Sequence, residues 1–104
     1  MKVTELVTEL ENLNIPLAYH SFEEYTAPPF LIYLDTDSDN FGADDVVYHE
    51  VTNIDIELYT EIVDDQLEKQ LKDVLTAANL YYDWSRVYIK EEKVYKTTFE
   101  VSLL

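Results

Sequence analysis

Between Tyr95 and Leu103, Tyr95, Thr97, Phe99, Val101 and Leu103 alternate without a break with Lys96, Thr98, Glu100 and Ser102. Successive side chains of a strand point to opposite faces, so this segment fits a sheet with one face buried and one wet. The alternation recurs upstream, where Ile54, Ile56 and Leu58 oppose Asp55 and Glu57. Tyr81 to Ile89 and Val94 to Leu103 pair as a hairpin about Lys90-Glu91-Glu92-Lys93. Two other stretches carry the period of a helix. Val3, Leu6, Val7 and Leu10 make one apolar stripe, predicting a helix over about residues 2–12. Val63, Leu67, Leu71, Val74, Leu75 and Ala78 make a second, over about residues 64–79.

Local signals bound these elements. Asn12 and Asn14 suit the end of the first helix, and Pro16 forbids its continuation. Asp65 with Glu68 three residues later resembles a capping box, Lys69 and Lys72 follow as the helix dipole prefers, and Asn79 suits a left-handed closing position. Ile15, Leu17 and Tyr19 alternate, with Phe22 and Tyr25 beyond, which predicts a short strand within residues 15–25. Ala27-Pro28-Pro29 is a stiff connector. Phe30 to Leu34 is apolar on both faces and predicts a central strand. Asp35 to Asp45 is polar, holds the single glycine, Gly42, and is long for a hairpin connection. Val46 to Thr60 predicts a long strand whose phase changes near Thr52-Asn53, as at a β-bulge. The expectation is one α+β domain over residues 1–104: an antiparallel or mixed sheet of four to five strands with both helices on one face.

Composition narrows the function. The 104 residues include no cysteine, which excludes a disulfide framework, a thiolate nucleophile and a zinc ribbon. No apolar run approaches the roughly 20 residues of a membrane-crossing helix, and the N-terminus does not read as a signal peptide. A soluble intracellular protein is expected. The net charge of -15 is unevenly placed: Val3 to Glu68 holds 17 acidic residues and no Lys or Arg, whereas Lys69 to Leu104 holds six basic and five acidic. Phosphate backbones are bound by Lys and Arg that displace counterions. Specific nucleic-acid binding and an anionic membrane surface are therefore not expected. The acidity serves solubility, or a surface that must not stick to DNA, or one that mimics it.

No catalytic constellation is present. Asp35, Asp37 and Asp39 have the one-three-five spacing of an EF-hand loop, but Asn40 replaces the turn glycine and Val46 the closing bidentate Glu. No calcium binding tighter than roughly millimolar is expected of such a loop. His20 and His49 have neither a serine nor a metal spacing around them, and one glycine cannot build a phosphate loop. An enzyme is not expected, nor a cofactor or a metal. The nine tyrosines are more telling. Tyr33, Tyr48, Tyr59, Tyr81, Tyr82, Tyr88 and Tyr95, with Trp84, lie on or beside expected strands, suiting cross-strand packing or an interface. Tyr81-Tyr82-Asp83-Trp84 is the leading interface candidate, because an alternating strand cannot bury all three rings on one face.

Three groups of residues carry a likeness to a known family. They are Pro29-Phe30-Leu31-Ile32-Tyr33 with the loop into Gly42-Ala43-Asp44-Asp45, the strand ending Glu57-Leu58-Tyr59-Thr60-Glu61, and the helix start Asp64-Asp65-Gln66-Leu67-Glu68 with the closing hairpin through Val94-Tyr95-Lys96. Over about residues 15–104 the chain resembles the small tail-completion proteins of long-tailed phages and prophages of Gram-positive bacteria. That group includes tail terminators and head-to-tail joining proteins. Ile62-Val63 departs from it, standing where a basic residue would precede the helix. The resemblance implies an α+β subunit of a ring, commonly a hexamer, at the head-proximal end of the tail tube in the virion. It also implies synthesis in the host cytoplasm and contacts with the major tail tube protein and the head connector. Asp35, Asp37, Asp39, Asn40, Phe41, Asp44 and Asp45 would belong to a loop that orders in the assembly. A lumen that passes DNA must repel phosphate, and an acidic surface meets that need. The free subunit can be monomeric without contradicting this role. Two other readings stay open: an acidic inhibitor that imitates DNA, and a calcium-modulated adaptor using the Asp35–Asp45 loop.

Overall fold

The computed structural model describes residues 1–36 and 52–103. In chain order the elements are helix α1 (Val3–Glu11), strands β1 (Leu17–Tyr19), β2 (Phe30–Asp35) and β3 (Thr52–Thr60), helix α2 (Asp65–Ala77), and strands β4 (Tyr82–Ile89) and β5 (Val94–Leu103). The five strands form one sheet in the order β1-β2-β3-β5-β4, mixed because β1 runs parallel to β2 while every other pair is antiparallel. This is the expected α+β architecture. The expected loop beyond Thr36 and the expected strand from Val46 to Val51 lie outside the described residues, as does the upstream side of the phase change at Thr52-Asn53.

Several expectations shift in detail. The strand within residues 15–25 is only Leu17–Tyr19. The left-handed backbone of His20 (φ 71°) and the Ser21 N–H bond to the Tyr19 carbonyl turn the chain away after it. β2 is flanked on both sides, but the central strand is β3. The cap of α2 is Asp64 rather than Asp65: its carboxylate accepts from the Leu67 N–H at 3.0 Å, which satisfies an otherwise orphaned donor. At the other end Asn79 is left-handed (φ 59°). The Leu80 N–H reaches back to the Leu75 carbonyl and the Asn79 N–H to that of Thr76, a Schellman closure. The helix therefore stops at Ala77, two residues before the expected end.

The core follows from alternation. Ile54, Ile56 and Leu58 of β3 stand opposite Val101, Phe99 and Thr97 of β5, and all six are buried. The five apolar ones form one cluster with Leu31 of β2, Leu103 of β5, Leu6 and Leu10 of α1, and Leu67, Leu71 and Leu75 of α2. Both stripes read from the sequence point into it, except that Val63 precedes α2 and is exposed. Residues of the opposite parity, among them Asn53, Asp55, Glu57, Thr98, Glu100 and Ser102, share the second face. Part of that face carries an aromatic patch in which Phe30 stacks on Tyr59 at 4.8 Å and meets Phe22 edge-on at 5.3 Å.

Phe99 is fully buried at the middle of this cluster. Phe99→Ala should lower stability by about 3–5 kcal/mol, read as a drop in the urea midpoint. An unchanged midpoint would place Phe99 outside the core.

Candidate assembly surface

Three features of the sheet depend on register and come into view only when the strands are paired. The first ties α2 to β4 and β5. Glu68 lies on the sheet-facing side of α2 with 3% of its surface exposed. Its carboxylate accepts from Arg86 Nε at 2.9 Å, from Arg86 Nη2 at 2.6 Å and from Thr97 Oγ1 at 2.9 Å. Arg86 and Thr97 are direct cross-strand partners, so one carboxylate spans two strands. Burial alone would raise the Glu68 pKa. The hydrogen bonds from Arg86 and Thr97, then the charges of Arg86 and Lys72, outweigh it and hold the carboxyl below its ordinary range.

The second feature is the β4 edge. Tyr81 precedes the strand and is largely exposed; Tyr82 is half-buried, its ring meeting Phe99 at 5.7 Å. Asp83 takes the opposite face. Trp84 returns to the helix side, stacked along Phe99 at 6.3 Å, with Lys72 Nζ 4.0 Å from its ring centroid and the Arg86 guanidinium at 5.3 Å. The Tyr-Tyr-Asp-Trp segment thus divides as alternation requires, with Tyr82 and Trp84 on the helix side and Asp83 opposite, and at the sheet edge Trp84 stays partly exposed as Tyr81 does. Val87 and Tyr88 are also exposed. Tyr19 on β1 is likewise exposed, against Tyr33 at 5.2 Å. Among the described residues neither β1 nor β4 has a strand on its outer side.

The third feature is a row of carboxylates. Asp55, Glu100 and Asp83 are successive cross-strand partners on the helix-free face. They line a half-open hollow of about 360 Å³ with Thr36, Asn53, Tyr81 and Ser102. Like charges directly opposite one another are destabilising. The Asp55 pKa is raised, by burial first, then by Glu100 and Glu57, against a smaller lowering by Lys96. Among the described residues no group of carboxylates or histidines is arranged to hold a metal ion. Of the loop residues singled out from the sequence only Asp35 is described, at the end of β2. Asp37, Asp39, Asn40, Phe41, Asp44 and Asp45 lie outside the described residues.

Sequence reasoning missed Glu68, Arg86 and Thr97 as a unit, and the carboxylate row. A signal existed for the first: Arg86 shares the parity of Tyr82, Trp84 and Tyr88, so a charge stood on the expected inner face. Among the described residues no helix is long and apolar enough to cross a membrane. The chain matches no family model, no curated protein and no solved structure.

Two measurements follow. Arg86→Met leaves a carboxylate buried without its cation and should cost about 3–5 kcal/mol at neutral pH. A depressed carboxyl pKa gives stability present above the ordinary glutamate range and lost as pH falls through the folded-state value. The gap between wild type and Arg86→Met should therefore narrow on acidification; a gap independent of pH would count against the network. For Asp55 the sign reverses. A raised pKa gives stability present below the ordinary aspartate range and lost as pH rises. Asp55→Asn should stabilise by about 0.2–1 kcal/mol at pH 7, a gain that fades in acid; destabilisation at pH 7 would contradict the repulsion.

Proposed function

We propose that this chain is a structural assembly subunit of the phage tail-completion type, which forms a ring at the head-proximal end of the tail tube and contributes to the head-to-tail junction. The observation that carries the reading is the sheet itself: two strand edges bearing exposed aromatics beside a face whose carboxylates are not balanced by cations. Exposed edge strands are usually blocked by charge, proline or a covering segment, because they template association. β4 runs for eight residues without Pro or Gly. A contact repeated by rotation closes into a ring when the angle permits. The sequence resemblance to tail-completion proteins points the same way.

In this role the acidic face does not bind passing DNA, since phosphate and carboxylate repel across an aqueous lumen. Repulsion between facing subunits falls with salt, so ring formation is favoured by higher ionic strength. The partners of the ring are the tail tube protein and the head connector. One observation favours a second reading. Asp55, Glu100 and Asp83 are fixed on a rigid sheet, as an imitator of DNA would require in order to occupy a nucleic-acid-binding protein.

Electron microscopy of tails made with and without this protein separates the two. Tails that lack it should be abnormal in length or fail to join heads. Normal, capped and joined tails in its absence would overturn the tail-completion reading. Tight binding to a DNA-binding enzyme, competed by duplex DNA, would establish the mimic instead.

A further inference from the structure

We infer that the two outer edges of the sheet, which have no further strand among the described residues, are complementary halves of one self-contact, in which β4 of one copy pairs antiparallel with β1 of the next. The inference rests on the proposed assembly role and specifies how the subunits meet. Three observations carry it.

The first is direction. β1 and β2 are parallel, and three antiparallel steps then lead through β3 and β5 to β4, so the two edge strands run in opposite senses. A second copy placed beside the first in the same orientation therefore brings β4 against β1 in an antiparallel arrangement, with both sets of helices on one side. The backbone of β1 has groups to offer. Leu31 N–H donates to the Pro16 carbonyl and His20 N–H to that of Tyr33. In a parallel ladder alternate residues serve one neighbour, so Leu17 turns its N–H and C=O, and Tyr19 its N–H, to the open side.

The second is a row that crosses the whole sheet. Tyr19, Tyr33, Ile56, Phe99 and Trp84 are successive cross-strand partners on the helix side of β1, β2, β3, β5 and β4. Ile56 and Phe99 are fully buried, whereas the row ends in Tyr19, 55% exposed, and Trp84, 44% exposed. An apolar row that stops at both edges in a half-exposed aromatic is completed when the edges meet, Tyr19 against Trp84 of the neighbour. The adjacent row on the other face then sets Ala18 beside Ser85, since Ala18, Ile32, Glu57, Thr98 and Ser85 are likewise successive partners.

The third is charge. α1 and residues 20–26, which flank β1 in the sequence, carry Glu5, Glu9, Glu11, Glu23 and Glu24 and no Lys or Arg. α2, β4 and the turn after it hold Lys69, Lys72, Arg86, Lys90 and Lys93, near balance with their acids. Pairing β1 with β1 sets acid against acid, and pairing β4 with β4 sets Lys72 against its own copy, Arg86 being already paired with Glu68. Only the mixed contact places the acidic edge beside the edge that holds cations.

The chain has no native cysteine, so single cysteines report the contact cleanly. Ala18→Cys and Ser85→Cys are prepared separately in the full chain, mixed under mild oxidation, and the products resolved by mass. Thr76→Cys, exposed on α2, measures chance collision. The Ala18–Ser85 heterodimer should form at least tenfold above that background, and Tyr19→Glu in the Ala18→Cys chain should reduce it at least fivefold while circular dichroism stays native. A predominant Ser85–Ser85 product would show a two-fold β4 contact and overturn the inference. Absence of any cross-link above the Thr76→Cys level would overturn it as well. The tail-assembly readout is separate: defective tails without the cross-link would reject this edge pairing alone, and the cross-link with normal tails would reject the tail role alone.

Discussion

Glu68 places a carboxylate on the buried side of α2, and the packing of helix on sheet is organised around satisfying it. Removing such a group from water costs several kcal/mol, repaid only when charge and hydrogen bonds are both supplied. Here Arg86 offers two N–H groups in a fork and Thr97 offers a hydroxyl. The fork geometry suits a guanidinium and not an ammonium, and Arg86 is the single arginine of the chain. Because Arg86 and Thr97 stand opposite each other, the carboxylate sets the position of α2 over the β4–β5 pair. Leu67, Leu71 and Leu75 then fall on the apolar cluster. The same constraint shapes the edge. With its guanidinium held by Glu68, Arg86 lies 5.3 Å from the Trp84 ring, and Lys72, one turn further along α2, covers that ring at 4.0 Å. Trp84 is thus packed from below by Phe99 and from α2 by a cation, and keeps its outer side free.

Local requirements were readable from the chain and non-local ones were not. Asn79 was identified because a left-handed position after a helix is a demand of its own backbone. The stripe through Leu67, Leu71 and Leu75 was identified because a helix repeats within a dozen residues. Glu68 reads locally as the closing residue of a capping box, whereas its partners lie 18 and 29 residues away. Periodicity treats every charge as a solvent-facing residue, so a charge buried by pairing reads as a defect in the pattern. The short β1 was partly legible from Ile15, Leu17 and Tyr19. Its parallel alignment was not, because only the contact with β2 defines it. The carboxylate row is the clearest case. Asp55, Glu100 and Asp83 are unremarkable apart and become a row only through the register of three strands. For the assembly surface, composition identified Tyr81, Tyr82 and Trp84 as a group, but not which of them stays exposed, since Phe99 decides that for Tyr82.

The two faces and two edges of the sheet present different chemistry. On the helix side burial is nearly complete along the central strands, and the exposed rings gather at the ends of rows. On the other face stand Asp55, Glu57, Glu100 and Asp83, of which Lys96 reaches Glu57, at 3.8 Å. A partner laid flat on that face must bring cations or leave the carboxylates hydrated. A partner at an edge meets aromatic rings and backbone groups instead.

That division separates the ranges over which the surfaces act. Exposed charges are felt over a Debye length, about 8 Å at physiological ionic strength, whereas apolar contact requires atoms within about 4–4.5 Å. In the proposed assembly the acidic face therefore influences which approaches are tolerated, and the edges determine which encounters last. Two copies approaching face to face meet repulsion before any ring touches another. Two copies approaching edge to edge, with their acidic faces side by side, keep most of the charge in water and let Tyr19 and Trp84 come together. In the proposed ring, side-by-side placement leaves all the acidic faces on the same side of a continuous sheet, either inward or outward. The inward choice produces an opening lined by carboxylates, the condition under which a polyanion slides through without adhering.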